Sequence, residues 1–303
     1  MTSTHSRSAA LVASMPIVFV LIWSTGFIVA RYGMPHAPPL KFLALRYLLS
    51  VACFAVWAWL ARAAWPVGRA QYKHLAVTGI LMNAGYLGGV WAAVKLGMGA
   101  GLVALLVGLQ PVLTAVWIAS RGGSVSARQW GGLALGLAGL ALVVWQKLGL
   151  GEIDPLNLLL AAGALLSITA GTLYQKRFVA PCDVRTANLV QMAAAFVVTA
   201  PLALFEAESM HWVIEGGLNR ELIGSMAWSV LALTLGGSSL LYLLIQRGAA
   251  TAVTSLLYLV PPCTALMAWL LFGEPITVLT IAGMALTAVG VSLVVRAPAV
   301  AKA

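Results

Sequence analysis

Apolar positions in this chain run in long unbroken blocks, not in the two-residue alternation of a barrel strand. No charged residue lies between Arg7 and Arg31, Lys73 and Lys95, Lys95 and Arg121, Arg128 and Lys147, Asp154 and Lys176, Arg185 and Glu206, Glu221 and Arg247, Arg247 and Glu274, or Glu274 and Arg296. Most of these blocks approach or exceed the ~20 residues that a helix needs to cross a bilayer. A further apolar block, Pro39 to Ala61, carries Lys41 and Arg46 inside it. The pattern predicts an all-α integral membrane protein of ten spans, near 15–32, 39–61, 74–94, 98–120, 129–147, 155–177, 185–205, 221–246, 249–272 and 276–296. Short polar joints make neighbouring spans antiparallel. The longest joint, Glu206 to Arg220, is acidic and has room for an interfacial piece around His211-Trp212.

The pattern also repeats. At an offset of 150, Gly88-Gly89 falls on Ser238-Ser239, Ala104-Leu105-Leu106 on Thr254-Ser255-Leu256, and Pro111 on Pro261. One residue later in offset, Gly132 and Gly139 fall on Gly283 and Gly290. The first and sixth spans match more weakly, with Arg31 facing Lys176 and Arg46 facing Gln191. Two halves follow, residues 1–150 and 151–303, each of five spans. Five is odd, so the second half enters the bilayer from the opposite side. The expected architecture is two inverted five-helix repeats with a site between them.

Composition agrees with a membrane chain: 61 % of residues are hydrophobic and 9 % charged, against about 25 % charged in a soluble domain. The net charge of +10 reads as cytoplasmic loop bias, not as a nucleic-acid surface. With the N-terminus inside, twelve Lys and Arg fall in cytoplasmic segments and five outside, and Asp183 is the only acid inside. Both termini are expected in the cytoplasm of a bacterium, with the chain in its inner membrane. The first apolar block lacks a convincing cleavage site and reads as a retained span. Cys53, Cys182 and Cys263 have no disulfide or metal spacing. No metal, cofactor or enzyme signature is present.

Candidate chemistry lies at mid-span. Trp23, Ser24, Asn83, Tyr86, Trp91, Gln110, Tyr174, Gln175, Ser239, Tyr242 and Tyr258 are polar or aromatic residues placed where lipid would not welcome them. Singly, each can serve as a helix–helix hydrogen bond. Together they read as the lining of a wet substrate pocket. Thr25, Thr172 and Thr254 belong to the same group. Pro111 and Pro261 interrupt equivalent helices, as hinges whose freed carbonyls meet a cavity or as static kinks. Glycine-rich faces of the fifth and tenth spans, of the Gly131 and Gly283 type, read as a scaffold or dimerising surface, giving a monomer or a weak homodimer. Arg46 is the one charge well inside a span. It either snorkels outward or faces the cavity, where it can hold a carboxylate. No acid and no histidine is expected at mid-membrane, which favours a uniporter over a proton-driven antiporter and disfavours a strongly cationic substrate. The expected substrate is a small neutral or zwitterionic molecule with a bulky apolar side chain, its ammonium and carboxylate held by amides and loosened carbonyls.

Trp23-Ser24-Thr25-Gly26-Phe27, the matched Pro111 and Pro261, and Gly273-Glu274-Pro275 after the ninth span resemble the drug/metabolite transporter superfamily, EamA-type branch. Within it the chain is most similar to the YddG-type exporters of aromatic amino acids. The resemblance covers nearly the whole chain. It implies export of amino acids or related metabolites by alternating access, through a cavity lined by spans one, three, four, six, eight and nine, with two and seven peripheral. The chain departs from the pattern at Gly123-Ser124, where the second half has Gly273-Glu274. A multidrug exporter of the same fold and a proton-coupled antiporter are the alternatives. A channel or scramblase would need a continuous polar stripe.

Overall fold

The computed structural model describes residues 2–122, 126–149, 153–237, 240 and 259–295. Its helices in chain order are α1 (Thr2–Gly33), α2 (Pro39–Leu60), α3 (Arg69–Gly79), α4 (Tyr86–Lys95), α5 (Ala100–Val107), α6 (Gln110–Ser120), α7 (Ala127–Gly149), α8 (Pro155–Phe178), α9 (Val184–Ala203), α10 (Arg220–Trp228), α11 (Val260–Phe272) and α12 (Val278–Val295). Two π-helical stretches extend their neighbours: π1 (Ile80–Gly85) joins α3 to α4, and π2 (Ser229–Gly237) continues α10. Among the described residues six helical runs are long and apolar enough to cross a membrane, and shorter apolar helices accompany them.

Local chemistry sets the helix ends. Asp154 caps α8, accepting from Leu156 N at 2.8 Å, while Asn157 Oδ1 accepts from Asp154 N at 3.1 Å. Pro155 follows at the first helical position, where its missing N–H costs nothing. Asp183 and Asn219 cap α9 and α10 in the same way. Gly273 ends α11 at φ 66°, a left-handed turn that glycine adopts without strain.

Contacts between loops divide the molecule into two ends. At the acidic end Glu206 accepts from Leu40 N and Lys41 N at 2.9 and 2.8 Å, capping α2. Lys95 pairs with Glu208 at 2.7 Å and His36 with Glu221 at 2.8 Å. The Lys95 ammonium holds the Glu208 carboxyl below its usual range. At the basic end Gln71 donates to the Ala180 carbonyl, and Thr186 to that of Ala64, both at 2.8 Å. α1, α2 and the continuous run α3–π1–α4 therefore alternate in direction, as do α8 and α9.

The most extensive helix contacts are α7 with α12 and α2 with α9; α4 with α8 and α3 with α9 follow, and α5 with α11 completes the frame. The α7–α12 pair is backbone on backbone. Gly139 lies against the Gly283 carbonyl and Thr287, and Gly290 against Gly132 and Gly136. The expected scaffold face is there, shifted by a turn, because Gly131 meets nothing within 4 Å.

The first helix starts at Thr2, and its apolar part, Ile17–Gly33, lies where the first span was expected. The segment after His211-Trp212 forms a two-residue hairpin, β1 (Val213–Ile214) with β2 (Gly217–Leu218). The fourth helix is interrupted at Gly108–Leu109, just before Pro111. The end of the eighth span and the start of the ninth lie outside the described residues.

Candidate substrate site at the helix interruptions

The broken and widened helices touch in a closed ring. From α1 to π2, Gly237 approaches Ile22 and Trp23, and Gly26 approaches Leu233, at 3.7–3.9 Å from an ideal Cβ. From π2 to α2, Arg46 Nη2 donates to Thr234 Oγ1 at 3.2 Å. From α2 to π1, Tyr47 OH donates to the Asn83 carbonyl at 2.8 Å. From π1 to α8, Ser167 Oγ donates to the Leu81 carbonyl at 2.8 Å. From α8 to α6, Gln110 Nε2 donates to Thr172 Oγ1 at 2.8 Å. Where α5 gives way to α6, a Cβ on Gly108 would stand 3.0 Å from Pro261 Cγ of α11. From α11 back to α1, Thr264 Oγ1 donates to the Ser24 carbonyl at 3.3 Å.

Two of these links, and one bond inside π2, have a common physical cause. A π-turn or a proline leaves backbone carbonyls without their helical N–H partners. Inside a bilayer those carbonyls require another donor. Tyr47, Ser167 and Thr234 supply hydroxyls to them; Thr234 Oγ1 bonds the Ser229 carbonyl, five residues back, at 2.8 Å. The π stretches occupy matching places in the two halves, since Ile80 and Gly85 fall on Val230 and Leu235 at the offset of 150.

The structure brings together some of the expected residues and separates others. Trp23, Ser24, Asn83, Gln110 and Pro261 all contribute to ring links, and Pro111 follows the Gly108–Leu109 break directly. Ser24 is fully buried, its hydroxyl donating to Val20 O at 2.7 Å. Asn83 and Tyr86 straddle the π1–α4 boundary, so their three-residue spacing is not that of a plain helix face. Trp91 is 1 % exposed and stacks on Phe42 with ring centres 4.5 Å apart. Tyr174 and Gln175 lie near the basic end of α8. The Tyr174 hydroxyl bonds His74 Nδ1 at 2.9 Å, and His74 stacks on Phe178. Ser239, Tyr242, Tyr258 and Thr254 lie outside the described residues.

His74 lies near the basic end of the 27-residue helix Arg69–Lys95, next to Lys73, and not at mid-span. The structure decides between the two readings of Arg46. Arg46 does not snorkel. It is 7 % exposed and lies 5.9 Å from the Trp91 ring centre, within electrostatic reach of the Tyr47 and Tyr86 hydroxyls. The second span is therefore no bystander, because it reaches both π stretches. The sequence carried one sign of this: the acid-free first half offers Arg46 no partner of its own.

Glu274 caps α5. Its Oε1 accepts from Ala100 N at 3.0 Å, against Gly99. At the acidic end a cavity of about 400 Å³ between α1 and α10 is lined by Thr25, Tyr32, Glu221 and Trp228 among others. The Trp228 indole donates to Thr25 Oγ1 at 2.8 Å. Among the described residues no three His, Cys, Asp or Glu side chains gather to hold a metal ion.

Comparison with known proteins gives consistent results. The chain is 25 % identical over 302 residues to the uncharacterized transporter YvbV of Bacillus subtilis, covering 95 % of this chain and 92 % of that one. It is 24 % identical over 283 residues to a probable amino-acid metabolite efflux pump of Salmonella typhimurium, covering 91 % and 92 %. The Escherichia coli protein of the same name is 23 % identical over 286 residues, with the same coverage. A solved crystal structure matches with a TM-score of 0.62 at 19 % identity, covering 95 % of this chain and 97 % of that one, which speaks to the fold. The model of the EamA-like transporter family fits twice, over residues 9–145 and 156–296. The chain thus belongs to the EamA-like transporter family, whose members are transporters and not enzymes.

Proposed function

We propose that this protein exports neutral or zwitterionic amino acids, aromatic ones included, and related small metabolites across the bacterial inner membrane. Transport proceeds by alternating access and as uniport. The observation that carries this reading is the closed series of contacts through the helix interruptions, made by hydroxyls, an amide, a guanidinium and small residues and with no carboxylate among them. The efflux-pump relatives supply the substrate class.

The proposed architecture is ten spans in two inverted repeats, residues 1–150 and 151–303. It is supported by the twofold family match and by the frame. Spans two and seven, four and nine, and five and ten are equivalents at the repeat offset, and they are the pairs α2–α9, α5–α11 and α7–α12. A pseudo-two-fold relation pairs equivalents in this way. The acidic end then faces the periplasm and both termini the cytoplasm.

Trp23, Ser24, Asn83, Tyr86, Trp91, Gln110, Tyr174, Gln175, Ser239, Tyr242 and Tyr258 are the proposed substrate contacts, with Pro111 and Pro261 as hinges. Aromatic stacking contributes about 0.5–1.5 kcal/mol beyond burial. The test is counterflow in proteoliposomes with the twenty amino acids, without a pH gradient or a membrane potential. Uptake is expected for aromatic amino acids. It should fall in Asn83→Ala, Tyr86→Ala, Gln175→Ala and Tyr242→Ala, and stay normal in Trp145→Ala, a residue 79 % exposed on α7. Strict dependence on an imposed proton gradient refutes uniport, and normal transport by all four variants moves the site elsewhere.

A further inference from the structure

Arg46 is a buried cation that meets no anion among the described residues. Its described polar contacts are one neutral hydroxyl, that of Thr234, and the face of Trp91. The Thr234 hydroxyl hydrogen is already committed to the Ser229 carbonyl. No Asp or Glu precedes Glu152 in the sequence, and those that follow lie in loops or at helix starts. Among the described residues three buried side-chain polar atoms lack a hydrogen-bond partner: Arg46 Nε, Ser50 Oγ and Ser229 Oγ. All three belong to the α2–π2 contact region. Ser50 is one turn from Arg46 on the same helix face, and Ser229 opens the π stretch that carries Thr234.

A charge inside a bilayer is retained where it has work to do. A buried guanidinium with a free Nε, on a helix contact that also carries two buried hydroxyls without partners, has the donor set of an oxyanion site. Guanidinium edges present parallel N–H bonds that match the two oxygens of a carboxylate, and serine hydroxyls add donors at its flanks. Lysine in this place would offer a point charge and no fork.

We propose that the Arg46 guanidinium, flanked by the Ser50 and Ser229 hydroxyls, docks the carboxylate of the transported substrate. The protein then takes metabolites with a free carboxylate and discriminates against their amides and amines. This deepens the exporter reading and rests on it for the word transported. It moves the carboxylate contact from the proline-freed backbone to α2. The Arg46 site lies between two ring links, Thr234 on one side and the Tyr47–Asn83 bond on the other. A molecule held there touches both π stretches, one from each half.

The full-length protein in detergent is titrated with each of the twenty amino acids, benzoate, L-phenylalaninamide, phenethylamine and chloride, and its thermal stability is followed by intrinsic fluorescence. At least one carboxylate should stabilise the wild type while its amide or amine counterpart does not. Arg46→Gln should weaken that binding at least tenfold, about 1.4 kcal/mol. Ser50→Ala should weaken it a few fold. Arg46→Lys keeps the charge, loses the fork, and should bind several fold more weakly; it carries the test if Arg46→Gln does not fold. The proposal is overturned if no carboxylate stabilises the wild type, if amides and amines act equally well, or if both Arg46 variants bind like the wild type. Chloride stabilisation with the same dependence on Arg46 assigns an inorganic anion and also overturns it. The same panel in counterflow separates the two readings. Arg46-dependent binding without transport leaves the carboxylate site standing and removes the exporter. Transport indifferent to Arg46 does the reverse.

Discussion

Glu274 ties the loop after α11 to the first turn of α5, and so one half of the chain to the other. Its Oε1 lies 3.0 Å from Ala100 N, one of the N–H groups that no helix partner satisfies. A hydrogen bond to a charged group contributes about 1.5–3 kcal/mol and a neutral one about 0.5–1.5. Glu274→Gln keeps an acceptor and loses the charge, a difference of about 1 kcal/mol. The favourable meeting of anion and helix N-terminus adds about 0.3–1 kcal/mol. Glu274 is only half-buried, so solvent screening trims the sum back to about 1 kcal/mol. That is a roughly fivefold shift between a closed and an open acidic end. Gly99→Ala reaches the same bond from the other side, because its Cβ would stand 2.8 Å from Glu274 Oε2. Gly99 has φ −61° and ψ 144°, which alanine adopts freely, so backbone strain does not confuse the result. The reporter is a cysteine at Met98, fully buried here, in a background without Cys53, Cys182 and Cys263. Impermeant maleimide should label it about fivefold faster in either variant and no faster in the double variant. Unchanged labelling, or effects that add, would refute the coupling between this bond and opening.

Other outcomes are expected from single sites. Gly139→Ala should destabilise the protein by about 2 kcal/mol in reversible detergent unfolding: overpacking against backbone costs about 3 kcal/mol, offset by about 1 from helix propensity. Gly131→Ala, which meets open space, should be neutral or slightly stabilising; equal losses at both positions would sink the scaffold assignment. Asp183 is held below the usual carboxylate range by its hydrogen bond to Arg185. Its extra stabilisation, about 0.5 kcal/mol for a partly buried pair still reached by solvent, is present above pH ~4 and lost as pH falls below it. The stability gap between wild type and Asp183→Asn should therefore close on acidification, and a gap that widens contradicts the sign. A cysteine at Ser209, exposed in the acidic-end loop, should react with impermeant maleimide in whole cells. Labelling only after lysis would invert the topology.

The helices were legible because charge-free blocks of about 20 residues have few other uses in a protein. The interruptions were half legible. Pro111 and Pro261 announce a break by chemistry. The π stretches do not, because Ile80–Gly85 and Ser229–Gly237 have ordinary apolar composition and are set by what donates to their carbonyls. Those donors sit far away in sequence, Tyr47 for Asn83 and Ser167 for Leu81. Arg46 shows the same limit. Whether a long cation reaches the interface or turns inward depends on what its helix packs against, and a span read alone carries no such information. His74 and Tyr174, 100 residues apart, meet for the same reason.

The two kinds of contact in the molecule differ in how readily they can be exchanged. In the frame, Gly139 meets Gly283 and Gly290 meets Gly136 with no side chain between, so any relative shift forces backbone into backbone. In the ring, six of the seven links run through a rotatable side chain, and five of these are single hydrogen bonds that another donor or a water can replace. The four neutral bonds each contribute only about 0.5–1.5 kcal/mol net, and the Arg46 bond about 1.5–3. Two arrangements that trade a few of them can therefore lie close in free energy, whereas arrangements that part the frame cannot. The exception in the ring is Gly108 against Pro261, which permits almost no approach beyond its present distance. Motion there has to be rolling about the contact and not compression across it. The proposed alternating access then takes the form of two rigid pairs rolling on that fulcrum, opening one end of the ring as the other closes, with the hydroxyl bonds to the π-stretch carbonyls free to exchange.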